Sequence, residues 1–138
     1  MMTPMTKTLA VALSLALMTA ACADPTAPAA PTPAAPTISE TFTGIVTVFG
    51  SDTQQFTVKE VGGVKVTLVS VDSPAALKVG IGTFSFGQCL VLGDATAVGG
   101  TATIISGTAT QPGTFCVSLS DPGNLVETVS YTITVLHS

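Results

Sequence analysis

The chain has 138 residues and a formal net charge of −4, and only 9% of its residues are charged, against a usual share of about 25%. That length holds a single domain once any leader is removed. Its few basic residues are all lysines, which excludes the basic patch that a nucleic-acid partner needs and excludes electrostatic docking on an anionic membrane.

Residues 1–22 read as an export signal. Lys7 is the only charge ahead of the apolar run from Leu9 to Met18. That run is far short of the ~20 residues that span a bilayer. The stretch Leu17-Met18-Thr19-Ala20-Ala21-Cys22 resembles a bacterial lipoprotein signal, in which small residues precede a cysteine that is acylated and becomes the N-terminus. Thr19 stands where that family usually has leucine or another aliphatic residue. The competing site is Ala21-Cys22-Ala23, with cleavage after Ala23 and free secretion. The expected location is therefore outside the cytoplasm, lipid-anchored to the cell envelope through Cys22, or secreted. Three cysteines are an odd number for an exported chain. Acylation or loss of Cys22 leaves Cys89 and Cys116 as one expected disulfide in an oxidising compartment.

Residues 23–38 carry a proline every two or three positions and almost no large apolar side chain. Such a segment builds no core and favours polyproline II, a disordered but semi-rigid spacer. At ~3.1 Å per residue it reaches about 40 Å. The domain is expected over residues 39–138, as short strands between turns. The first runs from Glu40 to Phe49, with Phe42, Val46 and Val48 on one face, and ends at Gly50-Ser51-Asp52. Gln54 to Lys59 alternates Phe56 and Val58 with polar residues, and Val61-Gly62-Gly63 turns the chain. Val64 to Val71 follows, broken by Asp72-Ser73-Pro74. Leu77 to Phe84 aligns Leu77, Val79 and Ile81. Cys89 to Leu92 is short and wholly apolar, which predicts a central strand. Gly99-Gly100 precedes Thr101 to Ala109, and Gln111-Pro112-Gly113 precedes Thr114 to Ser120. In that strand Cys116 alternates with Phe115 and Val117, which places the bridge outside the main core. Asp121-Pro122-Gly123-Asn124 is a turn, and Val129, Tyr131, Ile133 and Val135 share the face of the last strand. About eight strands and no amphipathic helix predict an all-β sandwich or barrel.

The stretch Gly113-Thr114-Phe115-Cys116-Val117-Ser118-Leu119-Ser120-Asp121 and the strand Val129-Ser130-Tyr131-Thr132-Ile133-Thr134-Val135 carry a family resemblance. So do the Gly50-Ser51-Asp52 turn and the Phe56-Thr57-Val58 strand. Over about Glu40 to His137 the chain resembles the bacterial pre-peptidase C-terminal domain family. The resemblance implies a jelly-roll-like antiparallel β-sandwich, exported and non-catalytic. Members are commonly appended to secreted proteases, and related domains bind collagen, some with calcium. No catalytic domain is expected among these 138 residues, and only Glu40 stands where calcium-binding relatives have several acidic residues. Neither calcium nor collagen binding is carried over.

Catalytic and metal chemistry have little support in the residues. The one histidine, His137, is second from the last residue, where chain ends fray, so a Ser-His-Asp arrangement is not expected. One histidine and two paired cysteines do not make a tetrahedral zinc shell. Asp52, Asp72, Asp94 and Asp121 all fall at expected turns, where aspartate serves backbone hydrogen bonds rather than paired-carboxylate catalysis or calcium. There is no tryptophan to stack on a sugar; Tyr131 is expected inside, and Phe49, Phe84 and Phe86 as packing at the core or rim. No Cys-x-x-Cys supports redox work. No enzyme activity and no cofactor are expected. The leading reading is a non-catalytic β-sandwich on the bacterial envelope, acting as a binding or accessory module. Its partners would be the membrane, through the anchor alone, and an extracellular protein or polysaccharide. The alternative is a structural surface protein self-associating through sheet edges, and a secreted hydrolase is a distant third.

Overall fold

The computed structural model describes residues 32–98 and 103–138. Cys22, the signal, most of the spacer and the Gly99-Gly100 turn lie outside the described residues. Among the described residues eight antiparallel strands form two four-stranded sheets. They are β1 (Ile38–Val46), β2 (Ser51–Val58), β3 (Gly62–Val71), β4 (Ala76–Ser85), β5 (Gln88–Val98), β6 (Thr103–Ala109), β7 (Gly113–Ser120) and β8 (Val129–His137). The order β1-β8-β3-β6 in one sheet and β2-β7-β4-β5 in the other is that of a jelly-roll sandwich. Among the described residues only β4 and β5 are a sequential hairpin within one sheet; each other pair of consecutive strands is split between the sheets.

Period-two alternation builds the core, because successive side chains on a strand point to opposite faces. From β3 come Val64, Val66 and Leu68, from β4 Leu77 and Val79, from β7 Val117 and Leu119, and from β8 Tyr131, Ile133 and Val135. Phe56 and Val58 of β2 close one end, with Phe56 stacked 5.9 Å from Phe115. Full burial of each aliphatic side chain contributes about 1.5–3 kcal/mol.

Three expectations about the strands are corrected. The Cys89–Leu92 run belongs to β5, which spans Gln88–Val98 at the edge of its sheet, and Leu90, Val91 and Leu92 are exposed. They flank a bulge opposite Ile81 and Gly82 that breaks the alternation, so unbroken apolarity here does not mark burial on two sides. Asp52 lies within β2 and Asp94 within β5 rather than in turns. The last strand does not fray: it pairs His137 with Ile38, and the Ser138 carbonyl accepts the Lys59 N–H. The end of the expected spacer is also engaged. Ala34 bridges Gly62 in parallel, and the Thr37 N–H donates to the His137 carbonyl.

The bridge Cys89–Cys116 is present, with Cα atoms 5.7 Å apart. It joins β5 to β7 across β4, where two strand spacings would set the backbones over 9 Å apart. Gly82, opposite Cys116 in the β4–β7 register, makes the approach possible. A Cβ there would run into the Leu90 backbone carbonyl, so β5 folds over the outer face of β4 at that point. The bridge lies outside the core cluster, although Cys116 is wholly buried.

Candidate functional site

Around the β3 bulge the outward-facing residues of β1, β8 and β3 are mostly Ser or Thr, with Ile45 and Val69 among them and Lys65 and Leu136 further along the sheet. Thr43 pairs with Thr132, which pairs with Ser70, and in the next outward row Ile45 pairs with Ser130. Thr is favoured on an exposed pleated face for its β-branching, which alone accounts for a solvated surface. What shapes it is a bulge in β3 between Leu68 and Ser70, which bends the strand and sharpens its twist. The result is an open groove of about 510 Å³, lined by Thr43, Ile45, Ser70, Asp72, Ser130 and Thr132 with backbone between them.

Asp72 stands at the head of the groove. Its N–H donates to the Ser130 carbonyl at 3.1 Å, and its Oδ1 accepts the Ser130 N–H at 2.9 Å. The side chain thereby extends the β3–β8 ladder past the last residue of β3. Oδ2 and the hydroxyls of Thr43, Ser70, Ser130 and Thr132 have no protein hydrogen-bond partner among the described residues. Ile45, more than half exposed, adds an apolar contact beside them.

The floor is rigid. Tyr131 is 2% exposed, and its hydroxyl donates to Asp52 Oδ2 at 2.7 Å. Gln54 Nε2 donates to the Tyr131 oxygen at 3.1 Å and to Asp52 Oδ2 at 3.3 Å. Burial, followed by the bond to Asp52, pushes the phenol pKa well above its ordinary value, so the hydroxyl keeps its proton. Gly44 allows this closeness, since a Cβ there would collide with Asp52 and with the Tyr131 ring. A buried polar group without a partner is costly, so the three side chains hold one arrangement.

The remaining candidates are dispersed. Asp94 faces Lys78 at 3.4 Å on the outside of the other sheet. Asp121 accepts N–H groups from Phe49, Gly123, Asn124 and Leu125 at 2.7–3.1 Å. Desolvation raises its pKa, but the four donors outweigh it and hold the carboxyl below its ordinary value; it ties the β7–β8 loop to the β1–β2 turn. His137 is 1% exposed, against Phe56 at 5.2 Å and within 2.8 Å of Glu40 Oε1. That contact gives Glu40 a partner the sequence did not suggest. Among the described residues no three of His, Cys, Asp and Glu are gathered as metal ligands.

Tyr131 is inside as expected and Phe84 is partly buried, but Phe49 and Phe86 are not packing residues: they are 83% and 101% exposed. The Thr-x-Thr alternation of Thr41–Thr43 and Thr132–Thr134 was the visible trace of the hydroxyl face. The bulge that concentrates it, and the return of Asp72 onto Ser130, have no local signature. The sequence matches no protein-family model and no curated protein.

Proposed function

We propose that this is an exported, non-catalytic binding module, tethered through an acylated Cys22, whose groove between β1, β8 and β3 takes an uncharged, hydroxyl-rich envelope glycan. The observation that carries the reading is the groove itself: unpartnered hydroxyls in register around a carboxylate with a free oxygen. Sugar hydroxyls both donate and accept, as do Ser and Thr, while an ionised Asp accepts only. The net charge of −4 and the carboxylate in the groove disfavour acidic polymers. No aromatic platform lies in the groove, so each site binds weakly and a polymer gains by repeated contact. The resemblance to the pre-peptidase C-terminal family and the jelly-roll order agree with an accessory module. The lipoprotein-like sequence ending at Cys22 and the proline-rich segment after it support the reading of a domain displayed on the envelope.

The test is affinity electrophoresis of the purified chain through gels containing neutral polysaccharides, with Asp72→Asn as the variant. Asparagine keeps an acceptor for the Ser130 N–H and replaces the free acceptor with a donor. A hydrogen bond to a charged group contributes roughly 1.5–3 kcal/mol, so retention constants should fall at least about tenfold with the fold unchanged. Equal retention of variant and parent, or retention of neither in any neutral glycan, would discard the assignment.

Self-association is a second reading with its own observation. β5 is a sheet edge whose Leu90, Leu92 and Val98 are all exposed, the kind of edge that pairs with another chain. Sedimentation across a concentration range separates the two readings.

A further inference from the structure

The β4–β5 hairpin carries features that the groove does not use. From Val79 to Gly93 there is no charged residue, and the flanking Lys78 and Asp94 pair with each other at its base, 3.4 Å apart. Phe86 and Gly87 form the two-residue tip, both at positive φ, 52° and 78°. Such a turn ordinarily takes Asn-Gly, and a bulky residue there is strained. Phe86 recovers none of that cost inside the protein, for it is 101% exposed. Leu90 on the same hairpin is 51% exposed, and three residues of strand place it about 10 Å behind the tip. The disulfide grips the hairpin at Cys89 and ties it to Cys116 in the adjoining strand, so the tip is presented rigidly. The end of the sandwich is fixed by topology. β4 finishes where β2 finishes and where β7, β3 and β1 begin. The N-terminal segment arrives at that same end through Ala34 and Thr37.

We propose that the Phe86–Gly87 tip is a wedge that inserts into the headgroup–acyl boundary of a lipid bilayer, carrying Phe86 and Leu90 into it. The depth suits the ~5–10 Å at which interfacial apolar side chains reside. Attraction comes from apolar burial, so it stands beside the absence of a basic surface without conflict. A wedge on the end from which the tether leaves orients the domain on the membrane, with Phe49 and the β7–β8 loop at the far end. The inference is independent of the glycan groove, and it rests on the proposed Cys22 tether for the orientation alone.

The chain has no tryptophan, so Phe86→Trp and Phe49→Trp each give a single tryptophan, excited selectively over Tyr131. The full chain is reconstituted with zwitterionic phosphatidylcholine vesicles whose acyl chains are brominated near the headgroup. Emission from position 86 should shift to the blue and lose most of its intensity, while emission from position 49 stays water-like. Leu90→Trp reads the same contact without altering the turn. Water-like, unquenched emission from both hairpin positions overturns the proposal. So does a blue shift that grows with protein concentration in the absence of lipid, which would assign the tip to a second copy.

Discussion

Replacement of Cys89 and Cys116 together by serine is expected to cost about 3.5 kcal/mol in the chain-entropy treatment of a loop of this length. The bridge closes a sequence separation of 27 residues, and that loop is free to open in the unfolded chain once the link is gone. For a domain of this size the melting temperature should fall by roughly 15 °C. The native state loses more than a tether, because Cys116 is wholly buried on the outer face of its sheet; without the bond, β5 is held by its backbone ladder to β4 and by side-chain packing alone, with no direct link to β7. A thermal melt of the double variant, beside a thiol count on the unfolded, unreduced parent, checks the expectation. Two free thiols in the parent, or an unchanged melt in the variant, contradict it.

Gly82→Ala should be the most damaging small substitution. The obstacle to its Cβ is the Leu90 backbone carbonyl, with Val91 Cα close behind, and backbone cannot rotate away as a side chain does. Overpacking of this kind costs on the order of 3 kcal/mol. The effect extends beyond stability. If β5 lifts from β4, Cys89 moves away from Cys116, and part of the protein should be isolated with free thiols. Gly93→Ala is the matched control, since nothing lies within 4 Å of its Cβ position. Urea midpoints of the two variants should differ accordingly, and a Gly82→Ala protein as stable and as fully oxidised as the parent would contradict the crossing of β5 over β4.

The legible part of the fold is the part written in alternation. Val64, Val66 and Leu68, or Tyr131, Ile133 and Val135, declare a buried face because a one-residue slip would turn them all to solvent. The Cys89–Cys116 pair was legible as well, as the two cysteines left once Cys22 is set aside. Position within a sheet was not. Leu90-Val91-Leu92 has the continuous apolarity of a strand buried on both faces, yet it is an edge whose bulge and disulfide break the alternation. Asp52 reads as a turn residue beside Gly50, but the chain has already turned at Thr47–Gly50, and the carboxylate faces Tyr131. His137 reads as a fraying end because its partner, Glu40, is nearly the whole domain away in sequence. The candidate groove was hidden for the same reason: Thr43, Ser70 and Thr132 become neighbours only when three strands from distant parts of the chain lie side by side. Phe49 and Phe86 carry no sequence mark of exposure. It is their left-handed backbone, φ 56° and 52°, at turns that lifts them from the core.

That the groove between β1, β8 and β3 is the binding surface is tested most directly by amide NMR of the isotope-labelled protein during titration with a neutral polysaccharide that retains it. The account predicts saturable shifts confined to Thr43, Ile45, Ser70, Asp72, Ser130 and Thr132 and their immediate neighbours, lost in Asp72→Asn. Shifts centred on the outer face of β2, β7 and β4, or no residue-specific shifts at all, would contradict it.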